Sequence, residues 1–213
     1  MVGLAADGAA AEKKSLHAQE QETPEVRRRR QIWWEAVEQI DADKLVFLDE
    51  SGASTQMTRN YGRAVRGKRV QEGTPCGHWR TVTMLAALTR QGLRAPMTIE
   101  SATDGDVFLA YLEQVLCPRL VPGQVVIMDN LPAHKVAGVR RLIEATGAHV
   151  LYLPPYSPDF NPIEQAWSKI KQHLRSAKAR TLEALESAMA EALARVTAEN
   201  ASAWFEHCGY GLQ

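Results

Sequence analysis

Gly123-Gln-Val-Val-Ile-Met-Asp129 and Pro154-Pro-Tyr-Ser-Pro-Asp-Phe-Asn-Pro-Ile-Glu164 frame the part of the chain whose reading decides the fold. Val125 to Met128 run apolar without polar alternation, the pattern of a buried strand, and the run closes on an acid, Asp129. Ala133 to Thr146 follows with Val136, Val139, Leu142 and Ile143 at helical spacing, and His149 to Leu153 returns as a strand. After the Pro154-Pro155 break a helix is expected whose apolar stripe is Ile163, Trp167, Ile170 and Leu174. Ser157 or Asn161 caps its first turn, Pro162 suits its first position, and Glu164 lies in that turn.

Upstream, Lys44-Leu-Val-Phe-Leu-Asp49 is a second apolar run closed by an acid. Arg63 to Val70 and Thr81 to Thr89, with breaks at Gly73, Gly77 and Gly92, suit antiparallel strands joined by turns. Asp106 to Leu116 and Leu182 to Val196 read as helices, the latter ahead of a short aromatic tail. Residues 1–31 are polar and end in Arg27-Arg28-Arg29-Arg30, and Arg28 to Ile40 has helical spacing. Residues 1–40 are therefore read as an arm containing a helix, and 41–213 as one domain. Strands first and then strands alternating with helices predict a mixed α/β sheet.

With 45% apolar residues over 213 positions the chain can bury a full core, which excludes global disorder. No apolar run approaches the roughly 18 residues of a membrane span, and Met1 to Glu12 lacks the basic start of a signal peptide. Cys76, Cys117 and Cys208 are far apart, without metal spacing, and read as reduced packing residues of a cytoplasmic protein. The 25 basic and 25 acidic residues cancel but are segregated. Residues 59–94 hold eight basic side chains against Glu72 alone, and residues 131–180 hold eight against Glu144, Asp159 and Glu164. Such sorting presents a basic face to a polyanion from a neutral chain.

Asp49 and Asp129 each follow a buried run, and Glu164 opens the helix after the next strand. Carboxylates placed this way can hold two Mg²⁺ or Mn²⁺ ions about 3.5–4 Å apart for phosphoryl transfer, with no His or Cys required. The motifs Val46-Phe-Leu-Asp49-Glu-Ser-Gly-Ala, Gly77-His-Trp-Arg-Thr, Val125-Val-Ile-Met-Asp129-Asn-Leu-Pro-Ala-His134-Lys and Leu153-Pro-Pro-Tyr-Ser-Pro-Asp-Phe-Asn-Pro-Ile-Glu164-Gln-Ala-Trp resemble the catalytic region of DDE transposases of the mariner-like superfamily, in the bacterial insertion-sequence branch. The 34 residues between Asp129 and Glu164 are typical of that branch.

The resemblance implies a ribonuclease H-like mixed sheet flanked by helices, with Asp49, Asp129 and Glu164 as the metal-binding triad. It implies cleavage at the ends of a mobile element and transfer of the freed 3′-hydroxyls to target DNA, at a TA dinucleotide; a homodimer is expected because two element ends must be processed together. Family members carry helix-turn-helix modules ahead of this region, which residues 1–31 could not form. A truncated copy, or the downstream product of a split frame with a helix-turn-helix partner encoded upstream, is therefore expected. Two rival functions remain: a nuclease without strand transfer, and a non-enzymatic fragment that binds DNA or inhibits an intact transposase.

Glu50 would point away from Asp49 if the strand continued, and is read as supporting the site rather than holding metal. Asn130 and His134 belong to the matched motif. His134 either orients a carboxylate, touches phosphate, or bonds backbone at a helix start. Trp79 is assigned to core packing ahead of base stacking. Arg59, Arg63, Arg66, Lys68, Arg69 and Lys135 are candidate DNA contacts, with a solvated face as the alternative for the Arg59 to Arg69 run. The Arg27 to Arg30 run reads as a DNA or partner contact or as a solvated helix start. Helical geometry places Ser168, Lys171 and Arg175 on the Glu164 face, where Lys171 and Arg175 are expected to reach phosphates.

Overall fold

Leu45 and Phe47 join one apolar cluster and Val46 and Leu48 another, as a strand with a side-chain period of two requires. They begin β1 (Leu45–Ser54), the central strand of a computed structural model that describes residues 18–211. β1 pairs antiparallel with β2 (Thr81–Thr89), which pairs antiparallel with β3 (Gly92–Ile99). On its other side β1 runs parallel to β4 (Val125–Met128), and β4 runs parallel to β5 (His149–Tyr152). The order is β3-β2-β1-β4-β5, the mixed sheet expected from the sequence.

Among the described residues the α-helices are α1 (Pro24–Val37), α2 (Gly105–Tyr111), α3 (Val139–Glu144), α4 (Ile163–Ala177), α5 (Leu182–Ala194) and α6 (Ala198–His207). One sheet face packs on α1, α4, α5 and α6 through Trp33, Val37, Trp167, Ile170, Met189 and Phe205, and the other on α2 and α3 through Phe108, Tyr111, Val139 and Ile143. Trp33 stacks on Phe160 at 5.3 Å, and the Tyr210 hydroxyl donates to the Phe160 carbonyl at 2.6 Å. This aromatic knot fixes the chain just ahead of α4.

Several expectations are corrected. Arg63 to Val70 is irregular, not a strand: it offers too little apolar surface to bury, Val65 is 78% exposed, and Gly67 (φ +82°) turns the chain. β3 was not expected. It forms because Gly92 (φ +113°) reverses the chain directly after β2. The helix expected over Ala133 to Thr146 is split into a 3-10 turn, Pro132–Lys135, and α3, with Gly138 (φ +112°) at the break.

α1 starts at Pro24, so the arginine run lies inside a helix, whereas residues 1–17 of the arm lie outside the described residues. The aromatic tail is helical: α6 begins with a reciprocal cap between Thr197 and Asn200. Pro162 precedes α4 rather than opening it, and neither Ser157 nor Asn161 caps it with a side chain. Trp79 is 49% exposed instead of buried, and of the cysteines only Cys208 is buried while Cys76 is exposed.

Candidate active site

The parallel ladder between β1 and β4 runs from Leu45 opposite Val125 to Phe47 opposite Ile127, then stops. Carried on by two residues, the same register sets Asp49 opposite Asp129, beyond the last hydrogen-bonded pair. Asp49 is therefore not at a strand end, as the sequence suggested: β1 continues along β2, with Asp49 opposite Ala86, while β4 has already ended. The strands part there. Asp49, Asp129 and Glu164 line one cleft of about 350 Å³, together with Asn130, Leu131, the Leu153–Pro158 loop and Asn161.

Asp49 is 8% exposed. It accepts from the Glu50 amide at 2.8 Å and from Trp167 Nε1 at 3.2 Å, and Asn161 Nδ2 lies 3.5 Å from its second oxygen. Burial, and then the charge of Glu164, outweigh those donors and push the Asp49 carboxyl up to about 7. Trp167 and Asn161 were not singled out as site residues. Their spacing marked one as core and the other as a cap, and only the fold shows that both reach Asp49.

Asp129 is held differently. Burial alone would raise it, but His134 Nδ1 at 2.7 Å and the Leu131 amide at 2.9 Å, with the charges of His134 and Lys135, hold it below its ordinary value. His134 is fully buried against Phe108, with ring centroids 4.4 Å apart, and its Nδ1 faces Asp129. Asn130 Nδ2 donates to the Leu153 carbonyl and ties the cleft rim to the strand beyond.

Glu164 stands at the cleft mouth with one side open to water, yet the surrounding protein raises its carboxyl. Lys171 pulls it down, as expected of a neighbour on the same face of α4, and Asp129 pushes it up. Glu50 lines a separate cleft with Thr103 and Val136, on the opposite face of β1. Among the described residues no three acidic, imidazole or thiol groups stand at metal-ligating distances, so the acids share a cleft without forming a closed cage.

The basic candidates fall into two groups. Lys135 acts on Asp129 and lies 5.7 Å from the Tyr152 ring, and Ser168, Lys171 and Arg175 follow Glu164 along α4. Arg63, Arg66, Lys68 and Arg69 are exposed on the irregular segment between β1 and β2. That segment is moored to the end of α4 by Arg59 Nε on Ser176 Oγ at 3.0 Å, by Lys178 on Glu72, and by Arg180 on the Thr55 and Met57 carbonyls at 2.9 Å.

A mixed sheet of this order, with acids gathered where its parallel strands part, is a ribonuclease H-like fold. Residues 44–186 match the DDE superfamily endonuclease family, and the chain belongs to that family. The Transposable element Tcb2 transposase of Caenorhabditis briggsae is 31% identical over 85 residues, which cover 38% of this chain and 31% of that protein. The structure of the Mos1 transposase catalytic domain with Raltegravir and Mn superposes with a TM-score of 0.64 at 13% identity, covering 93% of each chain. A mariner Mos1 paired-end complex with Mg gives 0.73 at 16% identity, covering 95% of this chain and 66% of that one. The chain thus spans under a third of the curated relative and under two thirds of the paired-end protein.

Proposed function

We propose that residues 41–213 are the catalytic domain of a transposase, in which Asp49, Asp129 and Glu164 hold the divalent metal for DNA cleavage and strand transfer. The observation that carries this is the convergence of the three acids on one cleft in a DDE endonuclease. The donor set is all oxygen, suited to Mg²⁺ or Mn²⁺. Burial and the charge of Glu164 both raise the Asp49 carboxyl, which supports a site that a cation would complete. When bound, a pair of such ions supplies Lewis-acid activation of the attacking oxygen and stabilisation of the leaving one.

The chain's own residues do the rest. His134 and the Leu131 amide fix Asp129, and Trp167 and the Glu50 amide fix the buried Asp49. Lys135, Ser168, Lys171 and Arg175 flank the cleft as phosphate contacts, and Arg59, Arg63, Arg66, Lys68 and Arg69 extend the basic surface beyond α4. The 34-residue interval between Asp129 and Glu164 supports the bacterial insertion-sequence branch. A second copy, and a helix-turn-helix reader of the element ends, are the partners this reading calls for.

The test is cleavage of a labelled duplex with Mg²⁺ or Mn²⁺ by the parental chain, Asp129→Asn and Glu164→Gln. Both variants should be folded and inactive, and joining of a free 3′-hydroxyl end to plasmid should be lost with cleavage. Cleavage without joining would reduce the reading to a nuclease. Binding without cleavage by the parental chain would leave a DNA-binding inhibitor.

A further inference from the structure

Arg30 closes the arginine run of α1, yet its guanidinium is turned onto the loop that walls the acid cleft. Its Nη1 donates to Ser157 Oγ at 2.8 Å and Asp159 Oδ1 at 3.0 Å, and its Nη2 donates to Asp159 Oδ2 at 2.6 Å. The guanidinium carbon also lies 3.8 Å from the centre of the Phe160 ring, the ring on which Trp33 stacks. One turn ahead of α1, Gln21 Nε2 donates to the Tyr156 carbonyl. The side chain of Arg30 is 19% exposed, which is unusual for one of four consecutive arginines on a helix.

The gripped loop needs that support. Tyr156 has φ +54°, a left-handed conformation that a bulky side chain rarely adopts unless its surroundings impose it. Ser157 Oγ holds the Pro155 carbonyl at 3.0 Å, and Asn161, at the loop's end, approaches Asp49. Glu164 follows within the first turn of α4. A planar fork matched to a carboxylate fixes both distance and plane, which an ammonium cannot do.

We propose that Arg30 is a positioning residue: through the Asp159 fork and the Phe160 face it holds residues 154–161 as one wall of the cleft, so that docking of α1 and competence of the site are coupled. The part about competence rests on the cleft being the reacting site. The part about the wall does not.

The experiment compares the full parental chain with Arg30→Ala, Arg30→Lys and a control, Arg90→Ala. The control breaks the Arg90 to Asp43 pair (3.2 Å) just ahead of β1, between residues that do not line the cleft. Hydrogen exchange followed by mass spectrometry reads the amides of residues 156–161 directly. They should exchange about tenfold faster in Arg30→Ala, with β4 and β5 unchanged and the control at parental rates. In Mg²⁺-dependent cleavage, kcat should fall about tenfold in Arg30→Ala with KM for DNA nearly constant, because a displaced wall misplaces the reacting groups. Arg30→Lys should fall between.

Unchanged exchange in residues 156–161 overturns the proposal, and so does a loosened loop with parental kcat. Equal losses in Arg30→Ala and Arg90→Ala would reduce the contact to general stability and also overturn it. A parental chain that cuts no DNA refutes the nuclease reading instead, and the exchange result then decides the strut alone.

Discussion

Asp49→Asn should make the metal-free protein more stable at neutral pH, although it removes a residue assigned to the site. The Asp49 carboxyl is pushed from an ordinary 3.8 to about 7, first by burial and then by Glu164. Because the folded value is raised, the native state keeps a proton that the unfolded chain has released at every pH between the two. Stability therefore falls as pH climbs through that window and is lowest above it. At about 1.4 kcal/mol per tenfold step, the ionised carboxylate costs the fold on the order of 4 kcal/mol above pH 7. Asparagine carries no such cost, but its amide group meets the Trp167 and Asn161 donors poorly, which lowers the expected gain to roughly 2–3 kcal/mol. Urea unfolding in EDTA at pH 5, 6.5 and 8 measures the difference, which should grow with pH. Adding Mg²⁺ at about a hundred times its dissociation constant should then restore roughly 2.7 kcal/mol to the parental chain and little to the variant. A variant no more stable than its parent at pH 8, or two stability curves parallel from pH 5 to 8, would refute the reasoning.

Trp167→Phe removes the indole donor on Asp49, so the carboxyl should titrate still higher and Mg²⁺-dependent cleavage should begin at a higher pH. The lost hydrogen bond and trimmed ring should cost about 1–2 kcal/mol in urea unfolding, and an unmoved pH profile would count against the contact. Lys171→Ala with Arg175→Ala should weaken DNA binding across sequences and flatten the slope of log affinity against log salt by roughly 0.9 per lost phosphate contact, as read by anisotropy between 50 and 200 mM salt. An unchanged slope would return both residues to a solvated face.

Much of the sheet was legible because β1, β4 and β5 are apolar runs with nothing else to be, and α4 because its stripe is strongly periodic. What was missed involves long-range partners. The extent of β1 depends on β2, which pairs with it through Ser54 opposite Thr81, and residues 50–54 show no apolar run that would announce a strand. Arg63 to Val70 alternates like a strand but has no neighbour to pair with. The three acids could be picked out one by one, since each ends or opens an apolar run in the sequence, although Asp49 lies inside β1. Trp167, Asn161 and Arg30 could not, because each has an ordinary local reading, and only the packing of α4 and α1 on the sheet aims them at Asp49 or its surrounding loop.

Asp129 has two tasks under the proposed function, and they can be separated. As the residue after β4 it accepts the Leu131 amide on Oδ1, an Asx turn that diverts the backbone, and Pro132 then has no N–H with which to resume a ladder. β4 therefore stops after four residues while β1 goes on, and the cleft opens in the difference. The same side chain then lines that opening, with Oδ1 held by His134 Nδ1 and the Leu131 amide. Asparagine can keep the turn, because its amide oxygen accepts from Leu131 as the carboxylate does, whereas alanine would lose both turn and charge. Asp129→Asn therefore isolates the charge, and a loss of cleavage in that variant would be read as chemistry. Asp129→Ala would confound that loss with a change in where β4 ends.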